Sequence, residues 1–532
     1  MSKKYTYDLL NFWFSNEDIW FNCSQEDDIQ ITKRYKKLFE SESDIVYNYE
    51  LKNSEDLLYN IILYDQIARH IYRGDQEMIS KYHTIALNFS QYLINSNLIE
   101  ELEPKEKCFA LMPFRHQFTE KDVEFALSKI REYRKDNMDN PYYKRFYYAT
   151  VRSLAKIKDE TLAKSIPYSL NYGVKGMNCE WGMKQFPYDI LDEKCLFSGL
   201  GWTGIQKIPN KYKQFIKDFR NTIPKLKEDE KLILSISGGV DSMVCSYILK
   251  SLGINFMCFM INYGNRESSK NSSESHMVYE WCMMLGIPLY IRNITEIKRT
   301  QDIDRNFYEE VTRDIRFRMY KLLGYPVVLG HNKDDTVENI FANLSKSRNY
   351  NNLRGMERES DINDVKIYRP MLGIEKSEIF KFADEMNIPY LYDSTPKWSE
   401  RGKMRDILVP SINDFNSCII PGLCDLSEYV TEMYNDLEKL IKDTIDIKFE
   451  IEYDQSGNIQ SKYVVIKKTG CIGFMFWNII IMKICKLYNK PYVTKKAMKI
   501  FLKSLKSGQN SKFVLNKKMN GVIKPNHIII YV

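Results

Sequence analysis

The chain has 532 residues, 44% of them hydrophobic and 28% charged, and a net charge of +7. At roughly 100–200 residues per domain, that length calls for three or four domains, and the composition excludes a chain disordered throughout. Its eleven cysteines form no C-x-x-C pair, which excludes zinc ribbons and thioredoxin-like motifs and reads as free thiols in a reducing compartment.

No apolar stretch follows Met1, so no signal peptide is expected. The longest apolar run, Ile472 to Ile484, is broken by Asn478 and Lys483 and is shorter than the ~20 residues a spanning helix needs. The expectation is a soluble, cytoplasmic chain that meets no membrane.

Residues 1–170 read as an all-α domain, because Leu57-Leu58, Ile61-Ile62 and Tyr64 recur at helical spacing and strand-like alternation is scarce. Residues 171–227 are irregular and in part glycine-rich, and read as a linker. A strand follows in Leu232–Ile236, then the turn Ser237-Gly238-Gly239-Val240-Asp241-Ser242, then a helical pattern from Met243. A strand, a glycine turn and a helix N-terminus bring backbone N–H groups and the positive end of the helix dipole to one point, which makes an anion site. The glycines admit phosphates closely, the serines donate hydroxyl hydrogen bonds, and Asp241 can hold Mg²⁺. No G-x-x-x-x-G-K-[ST] is present, so the turn is not a Walker loop. Further strand candidates at 255–261, 288–294 and 326–329 alternate with helical segments, as in repeated βα units.

Beyond 410 the sequence reads as a helical connector and hairpin to residue 470, then a small basic α+β domain over 471–532. After Asp454 there is no acid and there are fifteen lysines, which leaves −8 for the first 454 residues. A domain of one sign suits a polyanion partner, and Lys495, Lys496 and Lys499 are candidate contacts. The other reading is an ordinary solvated lysine face.

Two resemblances add to this reading. Trp13-Phe14 with Trp20-Phe21, Asp65-Gln66-Ile67-Ala68-Arg69-His70 with Arg73-Gly74, and Met112-Pro113-Phe114-Arg115-His116 resemble a helical, TPR-like family of unknown function. Its polar residues either line a small pocket or knit helices together. The S-G-G-x-D-S turn after a strand resembles the pyrophosphatase loop of enzymes that cleave ATP between the α and β phosphates. That likeness implies an α/β doubly wound parallel sheet, Rossmann-like, over 228–410.

Four more segments resemble the tRNA(Ile)-lysidine synthetases: Asn262-Tyr263-Gly264-Asn265-Arg266, Glu310 to Phe317, Gly330 to Glu338, and Arg369-Pro370-Met371-Leu372 with Asp393-Ser394-Thr395 and Arg401 to Arg405. The chain departs from that family's usual residues at Asn262, Thr336, Thr395 and Gly402. The resemblance implies an ATP-dependent ligase. It adenylates C2 of the wobble cytidine of a CAU-anticodon tRNA(Ile) and then replaces AMP by the ε-amine of L-lysine, changing codon recognition from AUG to AUA. ATP would sit on Ser237–Ser242, with Mg²⁺ at Asp241. Asp334, Asp335 and Glu338 would receive lysine or metal. Arg316, with Arg313, Arg401 or Arg405, would neutralise phosphate charge or grip the base. Asp241, Asp335 and Arg316 are the catalytic candidates. The alternatives are tRNA thiolation, for which Cys418 and Cys424 are the nearest pair, and a tRNA-binding protein without turnover.

Overall fold

In a computed structural model of the chain, the described residues are 3–22, 24–43, 53–165, 205–264, 268–300, 303–345, 354–391, 400–444, 447–453, 459–467, 470, 473–488, 490–507 and 511–532. Most of the expected linker and Asp393-Ser394-Thr395 lie outside them.

Every regular element described between residues 3 and 165 is helical, as the spacing predicts. Side chains at the starts mark the boundaries: Asn53, Asp75 and Thr119 each accept the amide of the third residue onward, at 2.8, 3.1 and 3.2 Å. The polar motif residues knit helices. Asp65 lies wholly inside, in a π-helical turn, and its carboxylate takes Arg69 Nε at 3.2 Å, His83 Nδ1 at 3.2 Å and His116 Nδ1 at 2.9 Å. Burial alone would raise its pKa, but His116, His83 and Arg69 outweigh burial and hold it well below the usual carboxylate range. His70 and Arg73 both pair with Asp28 instead. The last helix of this region, α1 (Pro141–Ser165), reaches the next domain.

The central domain alternates strand and helix in chain order: β1 (Leu232–Ser235), α2 (Val240–Ser251), β2 (Phe256–Asn262), α3 (Ser268–Leu285), β3 (Leu289–Asn293), α4 (Arg305–Leu323), β4 (Val327–Val328), α5 (Lys333–Ser345), the hairpin β5 (Glu359–Ile362) and β6 (Val365–Tyr368), then α6 (Lys376–Glu385). The sheet order is β3-β2-β1-β4-β6-β5, parallel except for β5. This is the expected doubly wound sheet. Both faces are covered, which is why its strands read as continuous apolar runs. Leu232 and Leu234 of β1 enter one core with α2 and α6, while Ile233 enters the other with Phe317 and Tyr320 of α4. Chain order turns back at β1, with β2 on one side and β4 on the other. A ligand crevice opens at such a switch, beyond the carboxyl ends of the strands.

Beyond it, α7 (Ile419–Thr444) packs along α5 and leads into β7 (Ile447–Tyr453) and β8 (Ile459–Lys467). Next come α8 (Phe474–Leu487), α9 (Lys495–Ser507), β9 (Ser511–Asn516), β10 (Met519–Ile523) and β11 (His527–Tyr531). The β7–β8 hairpin joins the C-terminal strands in one antiparallel sheet of order β7-β8-β11-β10-β9, so the division expected at residue 470 runs through a single sheet. Along α9, Met498, Phe501, Leu502 and Leu505 are buried at helical spacing, while Lys495, Lys496, Lys499, Lys503 and Lys506 are exposed. No single described helix is long and apolar enough to cross a membrane.

Candidate active site

The turn after β1 lies at the switch point and is held from three directions. Internally, Ser242 Oγ donates to Gly239 O at 3.0 Å and accepts from Ser237 N at 3.1 Å. Laterally, Leu391 N donates to Gly238 O at 2.8 Å. Gly238 has φ +78°, a left-handed conformation that side-chain-bearing residues rarely take. From below, Gly330 at the exit of β4 presses on the loop. A Cβ there would stand 3.0 Å from Asp241 C and 3.1 Å from Ser242 N. The loop then enters α2, whose first-turn amides have no acceptor within the helix. The geometry is that of an anion cradle.

A cavity of about 870 Å³ opens over this turn. Ser237, Asp241 and Ser242 line it from the loop, Arg313 and Arg316 from α4, and His331 and Asp335 from the β4–α5 junction. Asn339 and Asn343 of α5, residues 354–357 and 360–362, Arg369, Arg401 and Tyr492 also line it, the last contributed by the C-terminal domain. Arg313 and Arg316 both lie over the ring of Phe317, at 4.8 and 5.8 Å from its centroid. Among the described residues neither arginine makes an ion pair.

Asn332 ties two motifs together. Its Oδ1 accepts Asp335 N at 3.2 Å and its N–H donates to Asp335 Oδ2 at 3.1 Å, a reciprocal helix cap. Its side-chain amide donates to Asp241 Oδ1 at 3.0 Å. The other oxygen of Asp241 holds the ammonium of Lys376. Burial raises the Asp241 pKa, a tendency that Lys376 and the hydrogen bond from Asn332 oppose and the nearby Asp335 carboxylate reinforces. His331 is pushed down to about 4, first by burial and then by Arg369, Arg401 and Arg316, with Asp335 opposing. A neutral imidazole follows, and its Nδ1 accepts from Arg369 Nε at 3.2 Å.

The sequence-derived candidates do not all converge. Ser237, Asp241, Ser242, Arg313, Arg316, Asp335 and Arg401 share the cavity. Gly238, Gly239 and Val240 shape the turn beneath it. Asp334 is exposed and outside the lining, with its carboxylate accepting Lys376 N at 3.3 Å at the start of α6. Glu338 is also outside the lining: it is buried, pairs with Arg405 and faces Arg401 Nε at 3.6 Å. Arg405 reaches Asp335 as well, at 3.6 Å. Two groups read separately, as lysine ligand and phosphate ligand, thus neutralise each other. Burial raises the Glu338 pKa, against the pull of Arg405. Lys495, Lys496 and Lys499 lie on α9 and do not line the cavity.

Sequence reasoning missed Lys376, Asn332 and Tyr492. Asn332 carries a legible signal, an Asn three residues before Asp at a helix start. Nothing in the local pattern marks the other two. Among the described residues no group of three His, Cys, Asp or Glu side chains is placed to hold a metal. Cys418 is exposed, and Cys424 lines a neighbouring cavity between α5 and α7 rather than the one over the turn.

Residues 205–412 match the PP-loop domain family, and residues 9–161 match a family described as bacterial proteins of unknown function, DUF924. A tRNA(Ile)-lysidine synthase of Chlamydia muridarum is 31% identical over 222 residues, which cover 40% of this chain and 68% of that protein. One from Staphylococcus aureus is 26% identical over 254 residues, covering 45% of this chain and 56% of that protein. Among solved structures, the U34-tRNA thiolase of Methanococcus maripaludis with its 4Fe–4S cluster aligns at 20% identity and a TM-score of 0.35, covering 41% of this chain and 79% of that one. The loop, its crevice and the two synthases agree: the chain belongs to the tRNA(Ile)-lysidine synthase family through a PP-loop domain, to which a DUF924-type helical domain is joined.

Proposed function

We propose that this chain makes lysidine, joining L-lysine to C2 of the wobble cytidine of a CAU-anticodon tRNA(Ile) at the expense of ATP. The observation that carries the reading is the convergence, in one cavity, of the Ser237–Ser242 cradle with Arg313, Arg316 and Arg401.

A cytidine C2 oxygen is a weak nucleophile, so its attack on the α-phosphorus depends on alignment and on neutralising charge. The helix-start amides and the Ser237 hydroxyl hold the phosphates, while Ser242 Oγ braces the turn through Gly239 O and Ser237 N. Arg316 and Arg313, which make no ion pair within the described residues, supply positive charge where the bond to the β-phosphate breaks and pyrophosphate leaves. In the second step the lysine ε-amine attacks C2, and AMP departs with the oxygen. Free lysine has a pKa of ~10.4, so its ammonium must be drawn in and lose a proton. Asp335 suits that task. It lines the cavity, and Glu338 and Asp334 do not.

Mg²⁺ fits Asp241 as a single-carboxylate site, with the remaining ligands drawn from phosphate oxygens and water, the usual pattern for this ion. When bound it would neutralise charge on the leaving pyrophosphate. Lys376 holds one Asp241 oxygen and Asn332 the other, so a bound Mg²⁺ would take the place of the Lys376 ammonium on that carboxylate.

The lysine-rich C-terminal domain supports an RNA partner, and Tyr492 brings that domain to the edge of the cavity. The test is release of AMP and pyrophosphate from ATP with a CAU-anticodon tRNA(Ile) transcript. Release that requires lysine and leaves lysine on the RNA is expected. Release that requires a sulfide or persulfide donor would show thiolation instead, and RNA binding without turnover would reduce the chain to a binding protein.

A further inference from the structure

α4 serves two neighbours at once. Arg313, Arg316 and Tyr320 face the cavity, while Val311 and Ile315 enter the hydrophobic core of the N-terminal helices, together with Phe307 and Tyr308. Tyr148 of α1 stacks on Phe307, with ring centroids 3.5 Å apart and planes within 5°. The polar part of this contact is a buried clamp. Asp159 of α1, with no exposed surface, accepts from Arg318 of α4 at 2.6 Å and from Arg292 of β3 at 2.8 Å. Arg292 is itself 3% exposed and also pairs with Glu296, whose carbonyl takes Arg131 of the N-terminal region at 2.7 Å.

A buried guanidinium is tolerated only where its charge is matched and its N–H groups are bonded. One N-terminal carboxylate therefore fixes β3 and α4 relative to each other. Arg313 and Arg316 have no ion-pair partner of their own among the described residues, so the helix that carries them sets where their guanidiniums stand.

We infer that Asp159 is a positioning residue for the ATP chemistry: through Arg318 and Arg292, the N-terminal helices hold Arg316 over the phosphate cradle. The inference rests on the phosphate role of Arg316 proposed above. It makes the DUF924-type region part of the working site rather than a passenger.

The test is a double-mutant cycle in the full chain. Arg318→Gln, Arg316→Ala and the pair are compared for kcat and KM of pyrophosphate release with tRNA and lysine, well below their melting temperatures. Arg318→Gln should lower kcat about tenfold, the scale of a sub-ångström misplacement, while leaving the KM for tRNA unchanged. In the Arg316→Ala background the same change should cost less than about twofold, because the group it positions is gone. Asp159→Asn should show the same dependence on Arg316, together with a lower melting temperature.

Equal proportional losses in both backgrounds would mean only a smaller folded fraction and would overturn the coupling alone. Wild-type turnover by Arg318→Gln would overturn it too. Wild-type turnover by Arg316→Ala would refute the phosphate role itself, and the inference with it.

Discussion

Gly330→Ala tests how tightly the cradle is built. The added Cβ would stand 3.0 Å from Asp241 C, 3.1 Å from Ser242 N and 3.2 Å from Asp241 Cβ. Carbon atoms sit comfortably at ~3.5–4.0 Å, so roughly half an ångström must be found. None of the three atoms is the far end of a flexible side chain; two are backbone atoms of the first turn of α2. The turn must therefore move away from the end of β4. Overpacking of this kind costs about 1–3 kcal/mol of stability. The functional loss should be larger than that figure suggests, because the atoms that move belong to the proposed phosphate site. A shift of half an ångström should lower kcat/KM for ATP by about 10–100-fold, or roughly 1.4–2.7 kcal/mol of transition-state stabilisation. The assay is pyrophosphate release against ATP concentration, run beside a thermal melt. Gly422→Ala is the control: it lies within α7 with nothing near its Cβ position, and alanine there should raise helix stability by up to about 1 kcal/mol. If Gly330→Ala kept wild-type kcat/KM and melting temperature, the close approach of β4 to the loop would be wrong, and with it the account of how the cradle is held.

Three further outcomes are expected. Asp241→Ala should cut pyrophosphate release by at least about 100-fold, while tRNA affinity by filter binding stays near wild type; parallel loss of both would contradict the separation of cradle and lysine-rich domain. Lys495, Lys496 and Lys499 changed together to Gln should weaken tRNA binding and flatten the slope of log K against log salt by about 2–3, at ~0.7–0.9 for each phosphate no longer neutralised; an unchanged slope would favour the solvated-face reading. His331 has its pKa depressed to about 4 from the ordinary 6.5, so between those values the unfolded chain binds a proton that the folded chain refuses. Its contribution to stability is present above pH 6.5 and fades as pH falls toward 4. His331→Gln should therefore lose less melting temperature than wild type between pH 7.5 and pH 5, and an equal loss would show that His331 is not held neutral.

Local signals were enough for β1 to β4 and for the cradle itself, and did not mark the β5–β6 hairpin. The apolar run of β1, the glycine turn and the following helical pattern specify a strand, a tight turn and a helix N-terminus, because strand pairing, glycine φ and helix dipole act over a few residues. The unbroken apolar character of β1 likewise fits a sheet covered on both faces. What Asp334, Glu338 and Arg405 would face was not legible, since one helical turn allows several directions and only packing selects one. Asp335 illustrates the limit: its spacing from Asn332 marks a cap, yet only the fold brings Arg405 to within 3.6 Å of the same carboxylate. Lys376 lies 135 residues from Asp241 and Tyr492 lies in another domain, so no spacing rule relates either to the turn. The same holds for Asp159, an ordinary acid on an amphipathic helix until β3 and α4 fold against it. Charge pairing and burial depend on which surfaces meet, and that is decided by long-range packing that local pattern does not encode.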